Sequence, residues 1–300
     1  MDIWTKDVQY RGQPRQILCL MSDLHIEAAD HDAEAFKNDL DTAARHGAHL
    51  SINGDLVDLI LPSDRKRHHP SVARQEHDAI INRTTELAFE VLRPYVDLID
   101  VISVGNHELA TLKHHHYDIT RAVITLLNQH RDPKLKPIHQ GDYRGFQRYV
   151  FYWSEKPNAR ATRHLDIFRH HGRGGGAPVT KGMIDFNRIR STFSADLYWI
   201  GHKHQAIQDN GLVEIGLGPK GKLYHRPQRA VQTPGYKRPF RQSNPDAYGA
   251  DSDFSDQFYT TSAQGCSWVI VDLITSATHT RRNPTGRGIR WTVSDQLLVS

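Results

Sequence analysis

The sequence predicts an α/β protein with two sheets face to face and helices outside. Three observations carry this. Short apolar strands alternate with helical segments through the first half, which favours a sheet with crossover helices. The second half is strand-rich. The chain of 300 residues is 38% hydrophobic, enough apolar material for a real core.

The elements follow in order. Residues 16–21 form a continuous apolar run behind Gly12 and Pro14 and read as a buried strand. In 33–46, Ala33, Phe36, Leu40, Ala43 and Ala44 recur at helical spacing, and Gly47 ends the helix. A second strand is expected over 49–53. Residues 62–70 read as a basic loop, and 71–92 as a helix stopped by Pro94. A third strand is expected over 98–104. Tyr117 opens a helix to Asn128 with Ile119, Val123, Leu126 and Leu127 on one stripe. The aromatic and β-branched run 146–153 suits a strand of a second sheet, as do 164–170 and 197–200. A helix is expected over 181–193. From 216 to 265 the chain is Gly/Pro-rich and reads as irregular, and 267–274 is a late strand. No internal repeat is visible.

Composition narrows the class. No apolar run approaches the ~18–20 residues that span a bilayer, so no membrane helix is expected. The N-terminus is polar and its first apolar run, 17–21, is too short for a secretory signal. Two cysteines, Cys19 and Cys266, cannot build a disulfide framework, which points to a reducing, cytoplasmic setting. A net charge of +4 and a pI near 9.0 lean mildly toward polyanionic partners. Histidine stands out, with 20 residues. Imidazole is the commonest metal ligand and transfers protons near neutral pH. The run His114-His115-His116 reads as solvated.

Five segments share one design, an apolar strand followed directly by a polar cluster. They are Asp23-x-His25, Gly54-Asp55, Gly105-Asn106-His107-Glu108, His171-Gly172 and Gly201-His202-x-His204. Functional groups collect where the strands of α/β sheets end. Besides His107 and Glu108, the five supply two carboxylates, an amide oxygen and four imidazoles. That exceeds a four-coordinate zinc site and suits two ions ~3.5–4 Å apart with a bridging carboxylate. Singly each fragment is weak; all five in order, each after a strand, are not a coincidence.

This set resembles the calcineurin-like metallophosphoesterases, whose blocks run Asp-x-His, Gly-Asp, Gly-Asn-His-Asp/Glu, His and Gly-His-x-His. The resemblance covers 23–204, about two-thirds of the chain. It implies a four-layer α/β/β/α sandwich with the site at one edge of the sheets. It implies that Asp23, His25 and His204 hold a first metal, that Asn106, His171 and His202 hold a second, and that Asp55 bridges them. His107 would be no ligand but the proton donor to the leaving oxygen. Asp58 matches the carboxylate that orients that histidine in some members; otherwise it is a solvated turn carboxylate. His170 and His171 compete for one position, with His171 preferred because it directly precedes Gly. Two divalent ions clamp a phosphoryl group and lower the pKa of a bridging water, and an imidazolium protonates the leaving alkoxide. Oxygen and imidazole donors without cysteine suit Mn, with Fe and Zn as alternatives. Residues 1–300 are then expected to form a single domain, with the catalytic blocks in 16–210, an irregular basic segment over 216–265 and C-terminal strands in 266–300.

The family hydrolyses monoesters, diesters and phosphoproteins, so substrate does not follow from it. Ser22, Ile26, Leu59 and Ile60 depart from the phosphoprotein phosphatase pattern. Lys220, Lys222, Arg226, Arg229, Lys237, Arg238 and Arg241 are interleaved with Tyr224, Tyr236 and Phe240 and no acid. Arg281, Arg282, Arg287 and Arg290 add a second basic stretch. Cations with stacking rings are what a nucleic-acid strand contacts; the alternative is a solvated loop. Arg65, Lys66 and Arg67 either line the site mouth or face water. The expectation is a metal-dependent phosphodiesterase of nucleic acid or nucleotides. The alternatives are a small-molecule phosphomonoesterase or nucleotidase and a non-catalytic binding module.

Overall fold

The computed structural model describes residues 1–9, 14–59, 79–152, 162–174, 183–218, 220–238, 264–275 and 287–297. Period-two alternation in the strands sets its layers. In β2 (Arg15–Met21), Ile17, Cys19 and Met21 face one way and Leu18 and Leu20 the other. Its sheet continues through β3 (His49–Asn53), β4 (Ile99–Ser103), β5 (His139–Gly141), β11 (Ser267–Thr275) and β12 (Arg287–Ser294), in the order β12-β11-β2-β3-β4-β5. The strands β2, β3, β4 and β5 are mutually parallel. The connections carry α1 (Ala33–Arg45), α2 (Ile80–Leu92), α3 (Asn106–His115) and α4 (Ile119–His130).

The second sheet runs β1-β6-β7-β8-β10-β9. It comprises β1 (Asp2–Gln9), β6 (Arg144–Tyr152), β7 (Thr162–His170), β8 (Leu197–Ile200), β9 (Ile207–Leu217) and β10 (Leu223–Gln232), with α5 (Met183–Arg190) before β8. Leu18, Leu20 and Val269 meet Tyr149, Phe151, Leu165 and Trp199 between the sheets. On the outer side of the first sheet Cys19, Leu50 and Ile52 pack on Phe36, Leu40, Leu92 and Leu127 of the helices. On the outer side of the second sheet Phe168 and Tyr198 pack on Phe186 of α5. Three cores separate four layers, α/β/β/α.

Some sequence expectations change. The stretch after 216 is not irregular at its start: β9 and β10 form an antiparallel hairpin. Alternation does not reveal it, because most of its apolar side chains face solvent and β10 carries Pro227, a residue that reads against a strand. The strand β1 and the helix α3 also lie where no element was read. Residues 60–78, with the basic loop and the start of the expected helix at 71, fall outside the described residues, as do 239–263 and Arg281 and Arg282. Among the described residues no helix is long and apolar enough to cross a membrane.

Candidate metal centre

Parallel strands bring like ends together, so the loops after β2, β3 and β4 meet at one rim of the first sheet. Main-chain bonds lace them. Asp23 N–H donates to Gly54 O at 3.0 Å, and Leu24 N–H to Asp55 O at 2.8 Å. The Glu108 carboxylate, 2% exposed, accepts from Gly105 N–H at 2.7 Å, Asp55 N–H at 3.1 Å and Val57 N–H at 3.2 Å. It caps α3 from its third position and fixes two of the loops. Gly105 is required there, since a Cβ would lie 2.2 Å from Asp55 Oδ1.

The ends of β7 and β8 deliver histidines from the second sheet. His171 Nδ1–H donates to Asn53 O at 2.8 Å, which turns Nε2 toward Asp55 Oδ2 at 3.0 Å and Asn106 Oδ1 at 3.1 Å. His170 points elsewhere: its Nδ1 accepts from Gly172 N–H at 2.8 Å. Alternation along β7 therefore brings His171, not His170, to the cluster. His202 N–H donates to both Asp23 oxygens, at 2.9 and 2.8 Å.

Three overlapping groups of donor atoms result, each within 4.8 Å: Asp23, His25 and His204; His25, Asp55 and His107; Asp55, His171 and His202. Asp55 sits in the middle, its Oδ2 3.9 Å from His25 Nε2 and 4.0 Å from His107 Nε2. The structure thus brings together all seven residues read as ligands, with His107 beside them.

Asp58 stands beside both His25 and His107. Its carboxylate lies 2.8 Å from His25 Nδ1 and 3.5 Å from His107 Nδ1. The His107 Nδ1–H is held by the Asp58 main-chain carbonyl. The carboxylate therefore bears more closely on His25 than on His107.

Electrostatics show a buried charge cluster in tension. Burial raises Asp23 to about 7, against the pull of His171. Burial also opposes ionisation of Asp55, but His171 and His107 hold it well below the carboxylate range. Burial lowers His25 and His202 to about 4. It lowers His107 too, yet the Asp55 and Asp58 carboxylates override it and the imidazole ends above its ordinary value. His25 Nε2 is buried with no hydrogen-bond partner among the described residues. The neutral imidazoles of His25 and His202, buried carboxylates and an unpaired ring nitrogen facing them fit a divalent cation held by nitrogen and oxygen donors.

Sequence reading gave no role to Glu108, although it sits inside a quoted block, nor to Glu27, whose Oε1 accepts from Asp58 N–H at 2.8 Å and Leu59 N–H at 2.6 Å. Much of the basic stretch after 220 is engaged within the chain. Arg226 pairs with Asp196 at 2.6 Å, Arg238 with Asp32 at 3.0 Å and Lys237 with Asp58 at 3.4 Å. Tyr236 is fully buried and Arg229 lies over the Trp291 ring. Phe240 and Arg241 fall outside the described residues.

No protein-family model matches the chain, and no curated protein matches it. Among solved structures it is similar to a metallophosphoesterase from Sphaerobacter thermophilus, at 13% identity over 93% of this chain and 88% of that one, TM-score 0.33. It is similar to Vps29 complexed with Zn2+ from Entamoeba histolytica, at 11% identity over 93% of this chain and 99% of that one, TM-score 0.33. It is also similar to a conserved uncharacterized protein, a predicted phosphoesterase, from Streptococcus pneumoniae, at 12% identity over 94% and 99% of the two chains, TM-score 0.30.

Proposed function

We propose that this chain is a metal-dependent phosphoester hydrolase of the calcineurin-like kind, acting on phosphodiesters of nucleic acid or nucleotides. One observation carries the reading: seven side chains from five strand ends, spread from Asp23 to His204, converge on one buried spot beside a histidine. Asp23, His25 and His204 would hold one divalent ion, Asn106, His171 and His202 the other, and Asp55 both. Bound there, two such ions neutralise phosphoryl charge and supply a nucleophile at neutral pH. Manganese suits these donors, with iron or zinc as alternatives.

His107 is the proton donor in this reading. Its Nδ1–H is tied to the Asp58 carbonyl, so Nε2 is the nitrogen left to face substrate. Asp55 and Asp58 outweigh burial and raise the imidazole above its ordinary value, which favours the protonated form a leaving alkoxide needs. Asp58 supports the site by holding His25.

The nucleic-acid part of the proposal rests on the net charge of +4, because Arg226, Lys237 and Arg238 are engaged in ion pairs within the chain. That engagement favours the second reading, a small-molecule phosphomonoesterase or nucleotidase. The deciding experiment assays the Mn-loaded protein on bis-p-nitrophenyl phosphate, single- and double-stranded DNA and p-nitrophenyl phosphate, with metal content measured alongside. Diester turnover with ~2 metals per chain is expected. Turnover of the monoester alone moves the reading to the second one, and inertness on all four overturns hydrolysis.

A further inference from the structure

We infer that Lys237 is a positioning residue of this centre, holding the Asp58 carboxylate against the back of His25 and His107. The inference deepens the hydrolase reading and rests on it.

Lys237 lies beyond the last of the five motif blocks, in the segment that leaves β10. Main-chain bonds seat that segment on the loop of the first block. Tyr236 N–H donates to Asp23 O at 3.1 Å, Asp32 N–H to Tyr236 O at 2.7 Å and Arg238 N–H to Asp30 O at 2.8 Å. Gly235, at φ 75°, allows the approach: a Cβ there would meet Asp23 Cβ at 2.7 Å. On the other side, Gln264 Nε2 donates to Lys237 O at 3.0 Å. The lysine backbone is therefore fixed from both flanks.

Its side chain turns inward. Lys237 Nζ lies 3.4 Å from Asp58 Oδ1 and 3.8 Å from Asp30 Oδ1, and the side chain is only 11% exposed. A lysine normally keeps its ammonium in water. Here it is spent between two buried carboxylates. Removing one partner of a buried pair leaves the other as an uncompensated charge. Asp58 would then turn away from His25 Nδ1, 2.8 Å off, and from His107 Nδ1, 3.5 Å off. His25 also stacks on His204 at 5.2 Å and meets the His107 ring edge-on at 4.9 Å. A tilt of His25 therefore reaches both proposed functions, metal holding and proton donation.

The test compares Lys237→Met with Arg238→Ala, which loosens the same segment without touching Asp58. Each is made alone and in an Asp58→Asn background. Two readouts are taken: kcat and KM on bis-p-nitrophenyl phosphate with Mn, and the ring-nitrogen chemical shifts of the histidines in the metal-free protein. Lys237→Met is expected to lower kcat about 10–100-fold, the usual effect of losing a partner behind a metal site, with KM little changed. In the Asp58→Asn background it should add less than about twofold, because both changes remove one interaction. It should also shift the His25 and His107 nitrogens, while Arg238→Ala leaves kcat and shifts alone. Lys237→Arg should recover much of the loss. If Lys237→Met does not fold, Lys237→Gln, which removes the charge and keeps a shorter polar tip, takes its place. Unmoved histidine signals, or a kcat loss fully additive with Asp58→Asn, overturn the inference. Inert wild-type protein would sink the hydrolase reading instead, and the nitrogen shifts would still decide the role of Lys237.

Discussion

Replacing Glu108 by Gln isolates one carboxylate that holds two loops of the centre. Glu108 accepts three main-chain N–H groups, from Gly105, Asp55 and Val57. Glutamine offers one oxygen in place of two. With that oxygen kept toward Gly105 and Asp55, its NH2 meets the Val57 N–H donor to donor. One buried unsatisfied donor costs about 1–3 kcal/mol, and losing charge assistance on the other two bonds about 1 kcal/mol more. Part of this is returned, because burial already penalises the charge and holds Glu108 above the usual carboxylate range. The net loss is then about 2 kcal/mol, at the low end of the sum. Urea unfolding of metal-free protein reads it: with m of roughly 3 kcal/mol/M, the midpoint should fall by about 0.7 M and m should stay constant. A midpoint that moves by less than about 0.2 M would mean that the carboxylate is not what fastens these loops.

Two further outcomes follow from the same geometry. His107→Ala should lower turnover by about 10²–10⁴-fold while metal content by elemental analysis stays at the wild-type value; loss of metal would make His107 a ligand, as its grouping with His25 and Asp55 permits. Burial lowers the His171 imidazole, but Asp55 outweighs it and the pKa ends at about 10, against an unfolded value of 6.5. A raised base contributes stability below its unfolded pKa and loses it as pH rises through the folded one. The melting temperature of metal-free protein should therefore fall between pH 7 and 10, and bound metal, which excludes the proton, should flatten that slope.

Strands buried on both faces were legible as apolar runs, which is why β2, β3, β4 and β8 were read close to their observed bounds. Edge elements were not. In β1 only Trp4 and Val8 are buried, so its alternation is diluted by polar residues. In α3 only Glu108 and Thr111 are buried, and no apolar stripe marks it as a helix. The hairpin β9–β10 turns Ile215 and Leu217 outward, 63% and 70% exposed, against the inside-apolar logic of the reading. At the centre, the residues proposed as ligands stood out at strand ends because metal chemistry restricts which side chains can serve. What holds them did not. Asp58 acts on His25 across an interval of 33 positions, and Lys237 reaches Asp58 across 179. Contacts that long leave no periodicity in the chain.

Backbone conformation gives the clearest separation of site from scaffold. Among the described residues, eight non-glycine positions have positive φ, and five of them are Asp23, His25, Asp55, His202 and His204, all proposed ligands. Such residues are uncommon elsewhere, and Asp and His tolerate the left-handed region better than most. The sharp turn at each strand end aims successive side chains back over the rim, and the same residue types that bind metal also accept that turn. The cost stays in the fold when the ligand is removed. For His204, φ is 49°. Alanine there deletes the imidazole and keeps a Cβ in a conformation that costs about 1–2 kcal/mol, whereas glycine adopts it freely, at an entropic expense of about 0.5–1 kcal/mol in the unfolded chain. Metal-free His204→Gly should then equal or exceed His204→Ala in stability, by up to about 1.5 kcal/mol in urea unfolding. Both should lose metal to the same extent. A clear advantage for alanine would show that the turn is not strained, and the ligands would then owe their left-handed geometry to something other than the strand-end turn.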